Sequence, residues 1–198
     1  MSNTTIQELL KQLEHAKDKL EAEVEAKRDQ FNYQLNRRKV IFEVTLKRAH
    51  KQLKTTWLQY ILGANPLFIL TAPVIYAMIV PLMLLDLLAW LYQAICFPVY
   101  KIKRIRRRDY VVVDRHKLAY LNVFEKLNCI YCGYANGVLG YVRELAAITE
   151  QYWCPIKHAS KVAKPHDRYW QFIDYGDAQG YVCDLEQHQR QAKSQTNS

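Results

Sequence analysis

Glycine and proline are scarce, six of each in 198 residues. With half of the residues apolar, that excludes collagen-like repeats and a wholly disordered chain. Cysteine is too sparse for a secreted disulfide scaffold, five residues unevenly placed. The first 30 residues hold no apolar core of the kind a cleavable secretory signal requires, so none is expected. No Gly-rich phosphate loop, Gly-x-Ser-x-Gly elbow or His-Glu-x-x-His pair occurs. Glu125, Glu144 and Glu150 lack the Glu-x-x-His partners of a di-iron bundle. These absences weaken enzyme readings, and no catalytic residue is assigned.

Acidic residues are outnumbered, 19 against 28 Lys and Arg, for a net charge of +9. Such a balance points to anionic partners, either lipid head groups or nucleic acid. Nucleic acid is the weaker expectation, because no recognition motif accompanies the basic residues and most are dispersed.

Charge and hydropathy divide the chain into unequal parts. Residues 1–54 carry 12 Lys or Arg and 8 Asp or Glu, with neither Gly nor Pro. Thr5-Ile6-Gln7-Glu8 matches a capping box, and Ile6, Leu9, Leu13, Ala16, Leu20 and Val24 recur at helical spacing. The stripe restarts in shifted register at Phe31, Leu35, Phe42, Ala49 and Leu53. A narrow seam on a charged helix suits a coiled coil, which would join a protein partner or a second copy; an amphipathic surface helix is the alternative.

Residues 55–100 contain one charge, Asp86. Leu67 to Leu85 is a 19-residue uncharged run broken by Pro73 and Pro81, and ~20 such residues cross a bilayer. Lys47, Arg48, Lys51 and Lys54 precede this stretch, and the basic run 101–108 follows it. Since positive flanks stay cytoplasmic, an even number of crossings is expected. The expectation is a helical hairpin, near Trp57–Met78 and Leu82–Tyr100, turning at Pro81, either as two spans or as a re-entrant loop. Both termini would then be cytoplasmic. Trp57, Tyr60, Trp90, Tyr92 and Tyr100 would anchor it at the interface. Asp86 is expected in water near the far interface, a proton or ion role being the sharper alternative. The run 101–108 is expected to contact anionic lipid head groups.

Residues 109–183 read as a small cytoplasmic domain and 184–198 as a polar, frayed tail. Val111–Val113 is β-prone, Asp114 is a candidate N-cap, and Leu118, Leu121, Phe124 and Leu127 mark one helix. Residues 129–137 read as a turn, and Val138, Val142, Leu145 and Thr149 as a second helix. Cys129-x-x-Cys132 and Cys154-x-x-x-His158 supply three thiolates and one imidazole, the donor set of a closed zinc site, and iron suits the same ligands. Cys132-Gly133 resembles the tight knuckle of zinc ribbons and rubredoxin-type sites. Pro155 would make Cys154 the N-cap of a new turn with His158 on the same face. A straight helix between the two pairs would hold Cys132 more than ~20 Å from Cys154, so convergence requires a bend near Gly137–Gly140 or two copies. A redox dithiol and plain buried thiols are the competing readings. Cys96 is expected to pack in the membrane segment and Cys183 to be a spare thiol. The aromatic stretch 166–182 is expected to cover the domain or meet a partner.

The combined expectation is a mainly α protein. It has a long N-terminal helix, a membrane hairpin and a small helical C-terminal domain holding zinc or iron through Cys129, Cys132, Cys154 and His158. Its expected function is that of a membrane-anchored scaffold or adaptor. The alternative is a membrane-tethered redox protein using Cys129, Cys132 and Cys154.

Overall fold

The computed structural model describes residues 2–30, 33–36, 39–42, 50–52, 54, 63 and 65–194. Phe31, Lys47, Arg48, Ala49, Leu53, Trp57 and Tyr60, used in the reading above, lie outside the described residues. The protein is mainly helical, and its chain forms two compact units: residues 1–60 with 116–126, and residues 61–115 with 127–198.

In the first unit, α1 (Ser2–Gln30) is a long charged helix. It begins three residues before Thr5, so Thr5 lies within the first turn and is not the N-cap the sequence suggested. Leu9, Leu13, Leu20 and Val24 are all more than half exposed. The helix does not continue to residue 54. Strands β1 (Tyr33–Asn36) and β2 (Lys39–Phe42) form an antiparallel hairpin, with Tyr33 opposite Phe42 and Leu35 opposite Val40. The helical stripe proposed through Leu35 and Phe42 is therefore replaced by alternation, apolar residues falling opposite one another at every second position. The seam for a coiled coil is correspondingly shorter than expected.

The second unit is built on an apolar rod. Asn65 caps α2 (Pro66–Ala77), its side-chain oxygen accepting the Leu67 N–H at 3.0 Å, with Pro66 at the first helical position. Met78 keeps right-handed helical angles (φ −62°, ψ −13°) and leads directly into α3 (Ile79–Tyr100). The chain therefore does not reverse near Pro81, which sits in the first turn of α3, where its missing N–H is harmless. In place of a helical hairpin there is one rod, Pro66–Tyr100, of 35 residues, whose most apolar 18 residues have a mean hydropathy of 2.3. Lys101, at φ +59°, ends it, while Ile102 donates its N–H to Phe97 O at 2.8 Å and buries its own side chain.

The chain then returns along the rod. Ile102 and Ile105 face inward, and one helical turn (Arg107–Tyr110) leads to the extended Val111–Asp114. A single helix, α4 (Val123–Trp153), follows where two helices and a turn were expected. Asn122 and Glu125 cap it reciprocally: the Asn122 side chain accepts the Glu125 N–H at 2.9 Å, and the Glu125 carboxylate accepts the Asn122 N–H at 2.7 Å. The glycines proposed as a pliable turn have another task. A β-carbon on Gly137 would stand 2.6 Å from Val111 Cα and 2.8 Å from Tyr110 O, and one on Gly133 3.1 Å from Val112 O. They let the returning backbone lie against the helix surface, without bending the helix.

The core joins Ala89 and Phe97 of α3, Ile102 and Ile105 of the return, and Tyr141, Leu145 and Ile148 of α4. Ala192 completes it from α5 (Ala178–Ser194), so most of the tail expected to fray is an ordered helix. Asp177 starts α5 by accepting the Gly180 N–H at 2.8 Å. The aromatic stretch does cover α4, with Tyr169 and Phe172 buried, while Trp170 and Tyr175 are exposed.

Candidate functional site

The rod has two contrasting faces. Leu82, Ala89, Gln93 and Phe97 are buried at helical spacing, whereas Val80, Leu84, Leu87, Leu91 and Ile95 are 44–67% exposed on another stripe. On α2 no residue is buried. In the most apolar 18 residues of the rod, 6% of the residues are buried. A core helix of this length and hydropathy would be mostly covered, so the bare surface is the candidate functional feature.

The covered face is held by polar bonds. Tyr76 donates its hydroxyl to the Asn128 side chain. Arg107 makes two bonds to Asp86, at 2.8 and 2.6 Å, and Tyr134 donates to the same carboxylate at 3.0 Å. Tyr141 donates to Gln93 Oε1 at 2.7 Å, and Gln93 donates to Ile105 O at 3.0 Å. Tyr92 and Thr149 hydroxyls meet at 3.0 Å. At the end of the rod Tyr100 stacks on Tyr152 and meets Trp153 edge-on. Since residue numbers rise together on both partners, α3 and α4 run parallel.

Asp86 is thus not in water at a turn, as the sequence suggested, but forms a forked ion pair. Its carboxylate holds the Arg107 guanidinium above its ordinary range, through the hydrogen bond first and charge second. Burial, with Asp86 adding to it, raises Tyr134, so its phenol stays a donor at neutral pH. The basic run is correspondingly divided in use. Arg107 turns to Asp86, Arg104 donates to Ala94 O at 3.0 Å, and Arg106 pairs with Asp109 at 2.9 Å.

Between α3 and α4 lies an open apolar groove of about 580 Å³, lined by Leu85, Leu88, Ala89, Leu145, Ala146 and Trp153 among others. Beyond it, Arg168 binds Glu144 and Gln151, and His166 meets Glu150 at 2.9 Å. His188 is buried against the edge of Phe172, and burial lowers its pKa from 6.5.

The four proposed metal ligands do not converge. Cys129 and Cys132 sit one turn apart in the first half of α4, while Cys154 follows its other end. The 22 residues from Cys132 to Cys154 span roughly 33 Å of straight helix. Cys132 and Cys154 are exposed, and all five cysteines are free thiols. No group of three or more His, Cys, Asp or Glu is gathered for a metal among the described residues. Gly133 is helical, so the knuckle is not formed. Pro155 and Ile156 are extended, bonded across to Ile173, so Cys154 caps no helix. His158 stacks on Tyr169 and its N–H donates to the Tyr169 hydroxyl at 2.8 Å. Cys96 is half-buried in the rod and Cys183 is exposed on α5. The polar pairs along the rod do not follow from the sequence pattern, although Asp86 and Gln93, seven residues apart and so on one side of the helix, stand out as polar exceptions in α3.

These features define a helical protein with, among the described residues, one helix long and apolar enough to cross a membrane. No family model, curated protein or solved structure matches the chain.

Proposed function

We propose that the protein is a membrane-anchored scaffold or adaptor. The rod Pro66–Tyr100 is its anchor, and the charged helix α1 and the C-terminal helices are its surfaces for protein partners. The observation that carries this reading is the rod's bare surface: its most apolar 18 residues have a mean hydropathy of 2.3 and 6% of them are buried, and no residue of α2 is buried. In water such a surface would drive aggregation, whereas acyl chains solvate it. The excess of Lys and Arg before and after the apolar stretch supports a cytoplasmic orientation of the polar parts. The expected zinc or iron ligands are divided along α4, Cys129 and Cys132 in its first half and Cys154 after its end, so this reading does not draw on them.

Flotation of the full chain with lipid vesicles tests it. The protein is expected to rise with the vesicles, to resist extraction by high salt and alkaline carbonate, and to lose both properties when 66–100 is deleted. Recovery as a monodisperse species without detergent, left behind by the vesicles, would refute the anchor.

A further inference from the structure

The rod is longer than the hydrocarbon of a bilayer is thick, and its α3 part is too one-sided to be surrounded by lipid. At 1.5 Å per residue its 35 residues extend about 50 Å, against ~30 Å of hydrocarbon. From Tyr76 to Tyr100, roughly 36 Å, it is bonded along one side to α4 and to the return segment. Only Pro66–Ile75, about 15 Å, precedes the first of these bonds.

A crossing placed early, over residues 66–85, would leave Leu87, Leu91, Ile95 and Val99 in water, although they are 44–72% exposed. A crossing placed late, over 81–100, would draw the Arg107–Asp86 pair, Arg104 and the extended backbone 111–114 into hydrocarbon. There charged groups and unpaired backbone are disfavoured. Neither placement suits both faces.

We infer that the rod lies in the plane of an anionic bilayer. The stripe Val80, Leu84, Leu87, Leu91 and Ile95 is sunk among the acyl chains, and α4 and the return segment stay on the water side. The charges agree with this occupant. The segment Lys101–Arg108 carries six basic residues and no acidic one, directly after the rod in sequence. Such a run favours an anionic lipid surface over a neutral one. One leaflet then holds the protein, and both tails remain on the same side. This inference rests on the membrane reading above.

The test uses the full chain synthesised in the presence of sealed phosphatidylcholine–phosphatidylglycerol vesicles, floated and then treated with protease from outside. Both the N-terminal and the C-terminal regions are expected to be digested without detergent. Survival of either region until detergent is added would overturn the in-plane placement while leaving the anchor intact. Failure of the unmodified chain to float would instead sink the anchor itself. The double variant Leu87→Lys/Leu91→Lys changes side chains that the fold leaves exposed, so its helicity should match the parent. Its vesicle binding should fall on the order of tenfold or more. Unchanged binding, or equal binding to vesicles of phosphatidylcholine alone by the parent chain, would count against the stripe and the charged border respectively.

Discussion

Two glycines on α4 separate close approach from mere flexibility. A methyl group on Gly137 would meet the Val111 backbone at 2.6 Å, whereas one on Gly140 would meet only the Tyr110 ring at 3.7 Å, an ordinary contact. Gly137→Ala should therefore destabilise the fold by about 1–3 kcal/mol through forced separation of the return segment. Gly140→Ala should be neutral or raise stability by about 0.5–1 kcal/mol, since alanine restricts the unfolded chain. Thermal unfolding of both variants in detergent measures the contrast. Asp86→Asn would leave Arg107 facing a neutral amide. The expected loss is about 1–2 kcal/mol, less than for a fully buried pair, because the Arg107 side chain is 40% exposed.

His188 gives a pH dependence of definite sign. Burial lowers its folded pKa below 6.5, and Asp184 opposes this more weakly. As pH falls through 6.5 the unfolded chain takes up the proton before the folded one does, so stability is full above that value and declines below it. Replacing His188 with Phe should flatten the stability profile between neutral pH and about pH 5. A profile unchanged by the substitution would assign the dependence to other groups.

Among the elements, the two that sequence located best are the apolar rod and the aromatic cover of α4. Both are signalled by composition, which survives errors in local geometry. Within α4, Gly133, Gly137 and Gly140 look like punctuation when viewed along the chain. For Gly133 and Gly137 the reason lies across space, in a backbone segment more than 20 residues earlier, which no local pattern reveals. The Asn122–Glu125 box was legible in principle, as Asn-x-x-Glu before an apolar run, but a start assigned at Asp114 obscured it. Phe31 to Phe42 offered both helical and alternating spacing, and the pairing of Tyr33 with Phe42 follows the second. The spacing of the thiols was suggestive, and one uninterrupted helix holds Cys132 and Cys154 apart within a single copy. Chelation with EDTA should accordingly leave helicity and Tm unchanged, and Cys129→Ser/Cys132→Ser should lower stability by no more than about 1 kcal/mol. Circular dichroism with elemental analysis of the purified protein checks both; loss of the C-terminal helices on chelation would restore a metal-held domain.

For the whole molecule, helical class and the presence of a helix long and apolar enough to cross a membrane were readable, whereas the course of that helix was not. Met78 keeps the helix going where Pro81 had suggested reversal. The polar side of the rod is assembled from residues up to 57 positions apart in sequence. Hydropathy, averaged over neighbouring residues, cannot register a helix covered on one side by polar partners and bare on the other.

That separation in sequence has a consequence for biogenesis. Asp86 waits 21 residues for Arg107, and Tyr76 waits 52 for Asn128. At roughly 5–20 residues per second of translation, the second interval lasts about 3–10 s. Throughout it the greasy segment has emerged without its escort, its carboxylate unneutralised. A nascent chain in that condition depends on a holdase or on early lipid capture, and slowing the ribosome between codons 100 and 128 should increase its loss to aggregation.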